Sequence, residues 1–331
     1  MFNFEEKRTV IKIGLVGLGH LGKIHLKNLL ELSHLFEVKA VFDEDNSIRH
    51  EISNLYNVLQ VGSYQDLLAL CEAVIIVTPT ISHFELAVEA IKLQLPVFVE
   101  KPMVETMDEA KRLVSLIDEA GVHVQVGHVE RFNPAFLAAQ NHLDSPMFIE
   151  THRLAQFNPR GTDVPVVLDL MIHDIDIVLS VVKSRVKRIS ASGVSIVSDS
   201  HDIANARIEF ENGCVANLTS SRLSLKNMRK SRFFQKDAYI SVDFLNKELE
   251  VVRMENIAGE PDPFDIVLDL GKESVKKKIW IDKPELHQSN AIKEELEEFY
   301  KCIYANKSPI VDHHAGYNAM EVALEIISIM S

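Results

Sequence analysis

Apolar residues in the first 130 positions follow two alternating rhythms. Short runs rich in valine and isoleucine recur as TVIKIGLVG (9–17), EVKAVFD (37–43), AVIIVTP (73–79), PVFVEKP (96–102) and VHVQVGH (122–128). Each has the length of a strand, and several are continuously apolar, as in a strand covered on both faces. Between them LGKIHLKNLLEL, SHFELAVEAIKLQ and MDEAKRLVSLIDEAG repeat with helical period, the last stopping at Gly121. Strands that alternate with helices predict βαβ units around a parallel sheet.

After about residue 128 the rhythm changes. VERFNPAFLAAQNHL reads as a helix and MFIETHRLA as a strand. Alternating runs follow, among them ARIEFENGCVANLTSS, where Asn212-Gly213 predicts a hairpin turn. RFFQKDAYISVDF and KELEVVRM continue the alternation, GEPDPFD (259–265) reads as a loop, and NAIKEELEEFYKCIYAN and AGYNAMEVALEIISIM close the chain as amphipathic helices. The expected architecture is α/β: a Rossmann dinucleotide-binding domain over 1–127 and an α+β domain over 128–331. The second domain carries a large, mostly antiparallel sheet with one face left open.

The first strand runs into GLVGLGHLGKIH, which holds Gly17, Gly19 and Gly22 in GxGxxG spacing and opens a helix. In that setting the glycines permit a tight turn, let the backbone approach a pyrophosphate and let the helix pack on the sheet. His20 and Leu21 lie on the helix N-terminus that would face the phosphates. Asp43 ends the second strand, where a carboxylate accepts hydrogen bonds from the adenine-ribose hydroxyls and repels a 2′-phosphate. NAD is therefore expected rather than NADP; the alternative is that Asp43 only makes the turn in FDEDN.

Composition narrows the partners. The 331 residues carry a formal net charge of -13, which argues against a nucleic-acid partner. No apolar run approaches a membrane span, and MFNFEEKRTV lacks the apolar stretch of a secretion signal. Cys71, Cys214 and Cys302 are far apart and form no CxxC, so no disulfide framework is indicated and a reducing cytoplasm is the expected location. His313 and His314 adjoin each other in VDHHAG with no carboxylate at helical ligand spacing from both, so no metal is expected.

One stretch is out of character. DLMIHDIDIV (169–178) is apolar enough to be buried, yet it carries three aspartates and a histidine. On an α-helix Asp169, His173 and Asp176 share one face, while Met171, Ile175, Val178 and Leu179 form an apolar stripe. Buried carboxylates and imidazoles are costly unless paired, so this set either braces a core or performs chemistry. Asp176 reads as supporting and Asp174 as capping or scaffold.

The glycine loop, VTPTISH (77–83), VEKPM (99–103) and DLMIHDID (169–176), in this order, resemble the glucose–fructose oxidoreductase / inositol dehydrogenase / MocA family over nearly the whole chain. The resemblance implies an NAD-dependent sugar dehydrogenase with Lys101, Asp169 and His173 in the active site. His173 would take the proton of a substrate hydroxyl, Asp169 would orient substrate or imidazole, and Lys101 would polarise the reacting oxygen. Thr78, Pro79, His83 and Glu100 join the glycines, Asp43 and Lys101 as expected cofactor-binding residues. Relatives of this family assemble through the open sheet, which implies a homodimer or homotetramer.

VGHVERFNPA and NPRGTDVPVVLDLMIHDID further resemble the branch that oxidises the 3-hydroxyl of UDP-N-acetylglucosamine. A nucleotide diphosphate needs cations in an acidic protein, and Arg131, Arg153, Arg160 and Arg222 are the candidates, either as phosphate ligands or in ordinary ion pairs. Asn133 either reaches the sugar or caps the helix that begins near Pro134. Pro165 departs from the small residue expected in this branch. Two alternatives stay open: a dehydrogenase of a free polyol such as an inositol, and a non-catalytic NAD-binding sensor or scaffold.

Overall fold

The computed structural model describes residues 10–158, 164–257, 261–269, 276–286 and 289–331. The chain divides into two compact units: residues up to Val129 with Asn290–Glu321, and Glu130–Ser289 with Val322–Ser331.

In the first unit the elements run β1 Ile11–Val16, α1 His20–Glu31, β2 Phe36–Phe42, α2 Asn46–Tyr56, α3 Tyr64–Leu68, β3 Ala73–Ile76, α4 His83–Lys92, β4 Val97–Glu100, α5 Met107–Ala120 and β5 Val124–Gly127. The five strands form one parallel sheet in the order β2-β1-β3-β4-β5. The order reverses between β1 and β3, and a doubly wound sheet binds its ligands at that crevice. β3, β4 and β5 are buried at every position; their two polar residues are paired, Glu100 with His25 and Gln125 with the Glu295 carbonyl. α5 starts at a capping box in which Thr106 and Glu109 satisfy each other's backbone N–H, and it ends at Gly121 in the left-handed region (φ 66°).

In the second unit a 3₁₀ turn, Val129–Phe132, leads to α6 Pro134–Gln140 and β6 Phe148–Leu154. The expected single helix over VERFNPAFLAAQNHL is thus two pieces, because Asn133 is an extended N-cap with Pro134 at the first helical position. A π-turn, Val167–Met171, runs straight into α7 Ile172–Val181. The remaining strands are β7 Val186–Val194, β8 Ile203–Phe210, β9 Val215–Ser221, β10 Met228–Gln235, β11 Ala238–Asp243, β12 Glu248–Asn256, β13 Ile266–Asp269 and β14 Lys276–Asp282. The sheet order is β13-β14-β12-β11-β10-β6-β9-β8-β7, antiparallel except for the β6–β9 pair. Asn212-Gly213 makes the expected hairpin between β8 and β9, with Gly213 at φ 87°. GEPDPFD begins outside the described residues, and its remainder is loop.

The closing helices are α8 Ala291–Ala305 and α9 His313–Met330. A boundary at 127/128 gives both to the second domain, but residues 290–321 group with the first unit. The reason is the apolar stripe of α8. Leu296, Phe299 and Tyr300 are buried with Leu26, Leu29, Phe36 and Phe98 in one core, where Phe299 meets Phe98 at 6.0 Å and Tyr300 meets Phe36 at 5.8 Å, edge to face. No described helix is long and apolar enough to cross a membrane.

Candidate active site

The carboxyl edge of the first unit's sheet holds the glycine loop. Gly17 has φ +90°, and a Cβ there would lie 2.4 Å from the Val77 carbonyl oxygen; a Cβ on Gly22 would lie 2.0 Å from the Gly17 oxygen. Both positions therefore exclude any side chain. At Gly19 a Cβ would meet nothing within 4 Å, so the loop faces open space there. The first amides of α1, from His20 to Gly22, have no side-chain cap and are available to an anion.

A cavity of about 520 Å³ adjoins the loop, lined by residues that include Gly17, Gly19, Asp43, Thr78, Pro79 and Ser82. Asp43 is held by the backbone: its Oδ2 accepts the Leu18 N–H at 2.7 Å and its Oδ1 the Asp45 N–H at 2.9 Å. The volume, the bare backbone at Gly19, the uncapped amides and the anchored carboxylate fit the adenosine and pyrophosphate of a dinucleotide.

Behind the loops at the ends of β3 and β4 lie two buried histidines. His83 places one ring nitrogen 2.9 Å from the Thr78 carbonyl and the other 2.9 Å from the Pro102 carbonyl. Burial lowers its pKa, against the pull of the two carbonyls; the neutral ring donates to one of them at a time. His83 thus ties the two loops together from beneath, rather than lining the cavity.

His25, fully buried on α1, was not among the expected site residues. Its Nε2 lies 2.8 Å from Glu100 Oε1, and Glu100 Oε2 accepts the Lys101 N–H at 3.2 Å. Gly127 on the neighbouring strand makes room: a Cβ there would lie 2.8–3.1 Å from the Glu100 carboxylate. Glu100 therefore faces inward and fixes the backbone that presents Lys101, which is half-buried and followed by a cis peptide bond to Pro102. A buried histidine three residues after Gly22, on the packed face of its helix, was the signal available in the sequence.

In the second unit Asp169 lies within the π-turn and His173 is the second residue of α7; both are half-buried. The expected regular helix is interrupted because the Ile172 N–H reaches back five residues to the Val167 carbonyl. The wider turn changes the angle between Asp169 and His173 relative to α-helical i, i+4 spacing. Such turns occur often at functional sites. Pro165 sits where the turn begins, and its carbonyl accepts the N–H groups of Leu168 and Asp169 at 3.0 Å each.

The two aspartates that flank His173 around the helix are buried and paired. Arg153 of β6 donates to both oxygens of Asp174 (3.1 and 2.9 Å) and to Glu130 at 2.9 Å. Arg131 donates to both oxygens of Asp176 at 2.6 and 3.0 Å. Burial opposes the Arg153 charge, but Asp174 and Glu130 outweigh it and raise its pKa further. Burial pushes Asp174 upward, with Arg153 pulling the other way.

Three of the four arginines read as phosphate candidates therefore have other occupations in the structure. Arg153 is 3% exposed with its guanidinium committed to two carboxylates; Arg131 is engaged bidentately. Arg222 is buried and reaches the Val164 carbonyl at 2.6 Å. Arg160 lies outside the described residues. Asn133 caps α6 through Ala135 and donates to Glu130 and to the Phe244 carbonyl, so its amide is fully used in packing.

Comparison with known proteins covers both units. Residues 11–128 match the model of the GFO_IDH_MocA oxidoreductase family, NAD-binding Rossmann fold, and residues 140–237 match a GFO/IDH/MocA C-terminal domain. The chain is 33% identical over 319 residues to the UDP-N-acetylglucosamine 3-dehydrogenase of Acidithiobacillus ferrooxidans, covering 96% of each chain. A solved structure of that enzyme superimposes with TM-score 0.87 over 97% of this chain and 98% of the other, at 30% identity. The scyllo-inositol 2-dehydrogenase (NAD(+)) of Bacillus subtilis is 24% identical over 91% of this chain and 88% of its own.

Proposed function

This chain belongs to the GFO/IDH/MocA family and is an NAD-binding oxidoreductase, and we propose that it oxidises the 3-hydroxyl of a UDP-N-acetyl-hexosamine. What carries the substrate assignment is the similarity to the Acidithiobacillus ferrooxidans enzyme over 96% of both chains. Bound NAD supplies the hydride acceptor. The glycine loop and the α1 amides would hold the pyrophosphate, and Asp43 would take the ribose hydroxyls. In the chemical step His173 accepts the hydroxyl proton, a task suited to a group whose ordinary pKa lies near neutrality. Asp169 orients the substrate or the imidazole, and Lys101 polarises the oxygen as it becomes a ketone. The Arg131 and Arg153 ion pairs hold α7, and with it the backbone of His173, in one register.

A second reading rests on one observation. Arg131 and Arg153 are committed to carboxylates, which leaves fewer cations for a diphosphate and favours a free polyol such as an inositol. NADH absorbance decides between the two. With UDP-N-acetylglucosamine and NAD a signal is expected that His173→Ala lowers by about 10²–10⁴-fold. A signal with myo-inositol alone would replace the nucleotide-sugar reading.

We further propose self-association through the second unit's sheet. Val215, Phe148, Phe234, Tyr239, Val252 and Ile281 pair in turn across six strands on one face. Their aromatic rings touch, Phe148 to Phe234 at 5.7 Å and Phe234 to Tyr239 at 5.1 Å, yet Phe234 is 37% and Ile281 54% exposed. A continuous apolar row of this kind is characteristic of an interface. Light scattering is expected to give a dimer or tetramer; a monomer at micromolar concentration would remove the proposal.

A further inference from the structure

Away from the cofactor loop, the first unit brings together three ligand-type side chains that the sequence keeps far apart. Asp118 is in the last turn of α5, and His313 and His314 are the first two residues of α9. Asp118 Oδ1 lies 2.9 Å from His313 Nε2 and 3.4 Å from His314 Nε2. One ligand atom from each residue falls within 4.8 Å of the other two, and the two imidazole centroids are 4.2 Å apart.

These separations are close to those between neighbouring ligands of one metal ion. Zinc binds imidazole nitrogen and carboxylate oxygen at about 2.0–2.2 Å, which sets neighbouring ligand atoms about 3.3 Å apart in a tetrahedron. The His314–Asp118 separation already matches, and the exposed Asp118 has only to draw back by a few tenths of an ångström from His313. Asp118 and His314 are about half exposed, at 51% and 55%, and His313 is 14% exposed, so an ion has a path from solvent and room for a water ligand.

Electrostatics point the same way. The negative end of the α5 dipole and the Asp118 carboxylate lie on one side of the cluster, and both favour a cation. The positive end of α9 favours neutral imidazoles, the form that binds metal. Two imidazoles and one carboxylate suit a borderline first-row ion and do not suit magnesium or calcium, which prefer all-oxygen shells.

We propose that Asp118, His313 and His314 bind a divalent transition ion of the zinc class, with water completing the shell. The site lies where the strands of the sheet begin, since α5 leads into the first residue of β5. The glycine loop and Asp43 follow the other ends of the strands. The ion would therefore act as a staple between α5 and the first turn of α9. The proposal stands on this geometry and is independent of the dehydrogenase reading.

The test titrates zinc ion into chelator-stripped full-length protein against a chromophoric chelator. It compares wild type, His314→Gln and Asp118→Asn, with His34→Gln, an exposed histidine elsewhere, as the control. One tight equivalent is expected in wild type and in the control. Either ligand variant should weaken it by more than about 100-fold, since even outer-shell partners of a metal are worth 10–100-fold. Magnesium should not compete. Equal zinc affinity in wild type and both ligand variants would overturn the proposal, as would no zinc equivalent in the wild type. Matching thermal melts of the metal-free proteins show that the variants fold, so a lost equivalent reports the site.

Discussion

In the first unit an anionic side chain, Asp43, is held by two backbone N–H groups beside a loop whose close packing requires glycine at 17 and 22. In the second unit Asp174 and Asp176 are held by the guanidinium groups of Arg153 and Arg131, which come from β6 and from a 3₁₀ turn. The first arrangement uses local backbone geometry, so a short motif announces it. The second uses side chains that meet over separations of 21 and 45 residues, and no short motif encodes that meeting. The difference also bears on tolerance. A backbone cradle survives most changes at its rim, whereas a buried ion pair punishes the loss of one partner more than the loss of both.

The largest effect expected from this contrast is at Arg153. Arg153→Met leaves Asp174 buried without its bidentate partner and Glu130 with only the Arg229 cation, at 3.7 Å, and breaking such a pair costs about 3–5 kcal/mol. Urea unfolding should show this as a shifted midpoint, and substrate affinity should change only as far as the folded fraction does. A variant of wild-type stability with a raised KM would mean instead that Arg153 meets the substrate, as the charge argument from sequence had it.

Asp43 tests the first unit on its own terms. A charge-assisted hydrogen bond is worth about 1.5–3 kcal/mol, so Asp43→Asn should weaken NAD binding by about 10–100-fold. If the carboxylate reads the ribose, NADP binding should fall less or improve, and the ratio of the two Kd values should narrow. If Asp43 only braces the loop through Leu18 and Asp45, both cofactors should weaken equally, and the assignment of NAD specificity to this residue would fail.

Most of the fold was legible from the chain because its elements follow local periodicity. β3 is apolar at each position and β4 up to Glu100, as a parallel strand covered on both faces requires. The glycine loop was legible because Gly17 and Gly22 admit no side chain. The domain assignment of α8 was not legible, since an amphipathic helix declares an apolar face without saying which core receives it. The π-turn was hidden because helical period alone cannot distinguish a reach of five residues from four over a single turn. Arg131 and Arg153 were visible as charges, but their partners depended on how β6 and α7 pack. The same limit hid Asp118, which lies 195 residues from His313 and could not be found by spacing.

Asp202 is the exception that sharpens the comparison, because it is a carboxylate of the second unit held chiefly by backbone N–H groups. Its Oδ2 accepts the N–H groups of Ile196, Val197 and Ser198 at 2.8, 2.7 and 3.0 Å. Burial works against its charge, but these three donors prevail and hold its carboxyl well below the usual carboxylate range. With the folded pKa below the unfolded value of about 3.9, the stabilisation is fully present above that pH and is lost as pH falls through the folded pKa. Asp202→Asn keeps one acceptor and removes the charge, so it should cost about 1–3 kcal/mol at neutral pH. The gap between variant and wild type should close as the pH drops below about 4. A gap that stays constant down to the acid transition would mean that the aspartate contributes through shape rather than charge. The nest around residues 196–198 would then be a turn that any acceptor can satisfy.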